Sequence, residues 1–110
     1  MLIRILHAKV RPGRQAEFKK TLEMISLPAF QSRSGMVALY PGLPQGRRGT
    51  DFVLVTVWKD LETLESRSEE EWAKAILPAE ALPLLESWSI QGYRSFGVGE
   101  PGIKPLFLSI

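Results

Sequence analysis

The chain has 110 residues, enough for one domain with a modest core. Its composition is 45% hydrophobic and 24% charged, and a net charge of +2 spread along the chain argues against nucleic acid as a partner. With no cysteine, disulfides, thiolate nucleophiles and zinc–sulfur sites are excluded, and a cytoplasmic protein is expected.

Leu2 to Val10 reads as a first strand, with Ile and Leu interrupted by Arg4, His7 and Lys9. The same stretch lacks the basic-then-apolar pattern of a signal peptide, and no segment is long enough to span a membrane. Arg11-Pro12-Gly13 marks a turn. A helix is expected from Gln15 to about Arg33, with Phe18, Leu22, Ile25 and Ala29 on its apolar face and a kink or restart at Pro28. Ser34-Gly35 closes it. Met36 to Tyr40 reads as a short strand. Pro41 to Asp51 is a loop, with Arg47-Arg48 at its solvated tip.

Phe52 to Lys59 is the long apolar strand. Phe52, Leu54, Thr56 and Trp58 share one side of it; Val53, Val55 and Val57 share the other. A half-exposed strand would alternate apolar with polar, so both sides of this one require cover. Asp60 is a suitable N-cap for a second helix carrying Leu61, Leu64, Ser68 and Trp72 on one stripe, with Glu69-Glu70-Glu71 as a solvated face. Pro78 breaks it. Ala79 to Glu86 reads as a short helix or helical turn, and Trp88 to Phe96 as the last strand. Residues 97–110 form a tail ending Leu106-Phe107-Leu108-Ser109-Ile110, apolar enough that it should dock on the domain or on a partner.

Strand–helix–strand–strand–helix–strand is the ferredoxin-like α+β arrangement: a four-stranded antiparallel sheet with two helices on one face. The other face, carrying Val53, Val55, Val57 and His7, would be bare. A second copy packing sheet on sheet is the simplest cover, so a homodimer is expected.

Val10-Arg11-Pro12-Gly13-Arg14, Ser34-Gly35-Met36-Val37 and Phe52-Val53-Leu54-Val55-Thr56-Val57-Trp58-Lys59-Asp60-Leu61 together resemble the antibiotic biosynthesis monooxygenase domain, of the dimeric α+β barrel superfamily. The resemblance covers Met1 to Phe96. It implies a homodimeric barrel with a pocket between helices and sheet in each copy. In oxygenase members that pocket takes a flat phenolic or quinol-like substrate, which reacts with oxygen without flavin, haem or metal.

The resemblance aligns Trp58 with a tryptophan that ends the third strand. Trp58 is then either a wall for an aromatic ligand, with its indole N–H as donor, or core at a strand end. Leu6, Thr56 and Trp72 are expected around the same pocket. Tyr40, Tyr93, Arg94 and Arg4 are candidates for donating to a substrate carbonyl or steadying a phenolate, with Trp58, Tyr40 and Arg94 foremost. For each tyrosine the plainer reading is a core ring with its hydroxyl at the rim; for Arg4 it is an interfacial ion pair. His7, the sole histidine, is expected at the dimer seam. Haem-degrading relatives need an asparagine where this chain has Leu6 and a histidine on the second helix, where it has none, so neither haem nor a metal is expected. Two functions remain: cofactor-independent oxidation of an aromatic or quinol-type metabolite, or non-enzymatic binding of a small hydrophobic ligand, or assembly, on the same fold.

Overall fold

The computed structural model describes residues 1–28, 35–59, 77–100 and 103–107. Strand β1 (Leu2–Val10) leads through a turn into helix α1 (Gln15–Thr21), which runs on into a wider π-turn at Leu22–Ser26. Strands β2 (Met36–Gly42) and β3 (Asp51–Trp58) follow. A single 3-10 turn at Leu82–Leu84 leads into β4 (Leu85–Arg94), and a hairpin of β5 (Gly97–Glu100) and β6 (Ile103–Phe107) completes the described chain. No described helix is long and apolar enough to cross a membrane.

The main sheet has the order β2-β3-β1-β4 and is antiparallel throughout. This is the ferredoxin-like α+β topology, with β3 and β1 at its centre. Leu6 lies opposite Leu54 on one side and Ile90 on the other. Directly opposed residues share a face. One face is therefore lined by Leu6, Ala8, Phe52, Leu54, Thr56 and Trp58, all buried. Phe18 of α1 meets Phe52 edge-on, with centroids 5.1 Å apart and planes at 79°, a geometry that adds about 0.5–1.5 kcal/mol to area burial. Leu77, Ala81, Leu84 and Leu85 close the same core.

Gly13, at φ +86°, makes the turn after β1, where Arg14 N–H donates to the Arg11 carbonyl at 3.0 Å. Gly35, at φ +83°, precedes β2, and its carbonyl accepts from Lys59 N–H at 2.8 Å. Gln15 Nε2 donates to the Gly49 carbonyl and fastens the β2–β3 loop to the start of α1.

The structure departs from the sequence-based expectation in four places. Ile25 is not core: it is 43% exposed, while Ser26 is 1% exposed. The cause is the π-turn. Leu27 N–H bonds back five residues to the Leu22 carbonyl, and the extra residue rotates the buried face from Ile25 to Ser26. β2 runs two residues past Tyr40, through Pro41 and Gly42. β4 begins at Leu85 rather than Trp88, and of the two forms expected over Ala79 to Glu86 the structure has the helical turn, three residues around Pro83. The tail contains a two-stranded hairpin. The second helix, with Asp60, Leu61 and Trp72, lies outside the described residues, as does Ala29.

Candidate functional site

Three consecutive rows of the helix-facing side build the site. Leu2 pairs with Trp58 and Arg94; Arg4 with Thr56 and Gly92; Leu6 with Leu54 and Ile90. Leu39 of β2 lies opposite Thr56 and extends the middle row. Leu6, Thr56 and Trp58 thus share one side with Arg4 and Arg94. Arg4 is half-buried in this layer; Arg94 is exposed where β4 ends.

Thr56 and Trp58 are joined by a short hydrogen-bond relay. The Trp58 indole N–H donates to Thr56 Oγ1 at 2.8 Å, and the Thr56 hydroxyl donates to the Arg4 backbone carbonyl at 2.8 Å. Trp58 is 2% exposed and Thr56 fully buried. Alternation explains the contact: residues two apart on a strand point to the same side. The threonine hydroxyl satisfies a buried indole N–H that would otherwise cost about 1–3 kcal/mol. The indole N–H is therefore engaged inside the protein, and the Trp58 ring is buried with it.

The remaining candidates lie on the opposite face. Tyr40 sits opposite Val55 and is 62% exposed. Tyr93 sits opposite Ile3, and its hydroxyl donates to Gln91 Oε1 at 2.8 Å. His7 lies between Val53 and Ser89 and is exposed. Val53, Val55 and Val57 occupy this face too, each half-buried. The face is graded. The rows through Val57 and Val55 hold Ile3, Ile5, Ala38 and the two tyrosines; the rows through Val53 and Asp51 hold His7, Lys9, Ser87 and Ser89. The sequence singled out the valines and missed the tyrosines, which the alternation of β2 and β4 could have assigned once the strand starts were known.

Two hollows flank these surfaces. A small apolar one of about 90 Å³ lies between α1 and β2, lined chiefly by Leu22, Leu27, Pro41, Leu43 and Phe52. Lys19 and Glu23, paired at 3.5 Å, stand at its rim. A wider one of about 400 Å³ opens at the polar end of the bare face beside His7, Lys9, Asp51, Ser87 and Ser89. Lys9 is flanked there by Asp51 and by Glu86 at 3.8 Å, so charges of both signs meet. Arg14 lies at the start of α1, and the hydrogen bond and charge of Glu17 raise its guanidinium pKa. Among the described residues no group of three His, Asp or Glu side chains is placed to hold a metal.

No family model and no curated protein matches the chain. Solved structures do. A point mutant of MhuD, with two manganese protoporphyrin IX bound per active site, matches at TM-score 0.68 and 19% identity over 91% of this chain and 100% of that one. A point mutant of SnoaB, a cofactor-independent oxygenase from Streptomyces nogalater, matches at TM-score 0.63 and 19% identity, over 86% of this chain and 91% of that one. An antibiotic biosynthesis monooxygenase matches at TM-score 0.66 and 12% identity, over 86% of this chain and 98% of that one. The chain has the fold that these monooxygenase-type proteins share.

Proposed function

We propose that the chain is a homodimeric, cofactor-independent monooxygenase-like protein that oxidises a flat aromatic or quinol-type metabolite between sheet and helices. The buried cluster of Leu6, Thr56 and Trp58, on the sheet face where Phe18 of α1 meets Phe52 and on the fold also found in SnoaB, is the observation that carries this reading. The overall change is RH2 + O2 giving R=O + H2O: the substrate supplies the electrons, one oxygen atom is kept and the other leaves as water. In this reading Trp58 and Leu6, each 2% exposed, form the apolar wall of the pocket. Thr56 holds the indole in place through its hydroxyl. Arg94, at the open end of β4, is positioned to steady a phenolate. Trp72 completes the pocket in this reading. Tyr40, on the other face, belongs with Val53, Val55, Val57 and His7 to the surface that a second copy covers.

The metalloporphyrin bound in MhuD is not part of this reading. His7 is the sole histidine of the chain and projects from the face opposite Trp58, so an imidazole ligand in the pocket is lacking. A second reading, non-enzymatic binding of a small hydrophobic ligand, has its own support. Among the described residues, the strand positions on the Trp58 side include no carboxylate, histidine or tyrosine to serve as a base.

Oxygen uptake against a panel of hydroquinones separates the two. The enzyme reading expects uptake for at least one compound, falling at least tenfold in Arg94→Gln. Tight binding of the same compounds without oxygen uptake supports the binder, and absence of both overturns the site.

A further inference from the structure

The last two strands leave the sheet instead of joining it. β5 and β6 bond to each other, with Gly97 opposite Phe107 and Val98 opposite Leu106, and form a separate two-stranded sheet. Only Ser95 and Phe96 separate them from β4. No other described element packs on this hairpin as the strands of the main sheet pack on one another. The molecule is 44 Å along its longest axis. β4, with ten residues, spans about 33 Å at roughly 3.3 Å each. The radius of gyration is 15.1 Å, where a compact domain of this length has about 13 Å. A two-stranded hairpin is marginally stable in water by itself.

The sheet's two edges are unequal. β2 is short, contains Pro41 and shifts register between Met36 and Ala38. Each of these features blunts an edge against further pairing. β4 has neither proline nor lysine, and its outer side pairs with no described strand.

We infer that the hairpin is an exchange arm: β5 of each protomer adds to the outer edge of β4 in a second copy. The inference rests on the homodimer reading and goes beyond it by assigning the arm and the edge it meets. Four residues of β5 reach about 13 Å, and stacked sheets lie about 10 Å apart, so the arm is long enough to cross from one sheet to the other. β6 carries Pro105, which lacks an N–H, so β5 is the strand with its donors complete. A two-fold axis makes the contact twice, since each chain has both arm and edge.

The absence of native cysteine makes cross-linking decisive. Full-length chains carrying Val98→Cys or Gly99→Cys are co-refolded with chains carrying one cysteine in place of Ser87, Trp88, Ser89, Ile90, Gln91 or Gly92, then mildly oxidised. A disulfide requires Cα atoms within about 7 Å. The arm predicts at least one disulfide joining the two different chains, identified by peptide mass and lost on reduction. It also predicts that the matching double-cysteine chain cross-links between chains. Closure within a single chain overturns the inference, as does a protein that sediments as a dimer yet forms no mixed disulfide in any pair. Sedimentation as a monomer instead removes the homodimer reading itself.

Discussion

Past Asp51 at its start, Thr56 is the one polar residue of β3, and its hydroxyl bridges the Trp58 indole to the Arg4 carbonyl. Thr56→Val keeps the shape and removes the bridge, leaving a buried N–H and a carbonyl without that partner. The expected loss is about 2–3 kcal/mol in urea unfolding. Trp58→Phe removes the N–H together with part of the ring, so the Thr56 hydroxyl keeps its bond to Arg4. Taking both changes together should cost less than their sum, because either one already breaks the bridge. Strict additivity would show that the relay contributes nothing. The sequence made both residues visible as members of one strand face. It did not show that they satisfy each other, because hydrogen-bond direction depends on side-chain rotamers that alternation does not specify.

Helix α1 shows what periodicity can and cannot reveal. Phe18 and Leu22 are buried where 3.6-residue spacing expects them. Beyond Leu22 the π-turn adds a residue, and Ile25 turns out while Ser26 turns in. Pro28 was the available signal, since it withholds one helical N–H and disturbs the preceding turn, but the form of the disturbance is not written in composition. Leu22→Ala should cost about 2–5 kcal/mol. Ile25→Ala should stay within about 1 kcal/mol, measured by the same unfolding curves. Equal costs would restore the regular helix. Strands β1 and β3 were legible nearly to the residue because each is one continuous β-rich run. The start of β4 was not, because Leu82-Pro83-Leu84-Leu85 offers no period long enough to separate a turn from a strand.

At the scale of the whole molecule, the four-stranded sheet presents a face that nothing in the described chain covers. Four strands about 4.8 Å apart and about seven residues long give it a footprint of roughly 400–450 Å². The largest such patch on a soluble protein is often functional. The apolar rows of Val55, Val57, Ile3 and Ile5 suit a dry sheet-on-sheet contact, and the His7–Lys9 end suits its wetter rim. That both sides of β3 call for cover could be read from β3 alone, because both are β-branched or apolar. Where a second copy would centre its contact needed the register of all four strands. Val55→Asp sets a carboxylate in the middle of the apolar rows, where burying it unpaired costs several kcal/mol.

Sedimentation equilibrium of the wild-type and Val55→Asp chains tests this most directly. A sheet-on-sheet homodimer requires a wild-type mass near twice the 12.4 kDa of one chain and a Val55→Asp mass near 12.4 kDa, with the variant still folded by circular dichroism. A folded wild-type protein at single-chain mass, or a Val55→Asp dimer as tight as the wild type, would contradict it.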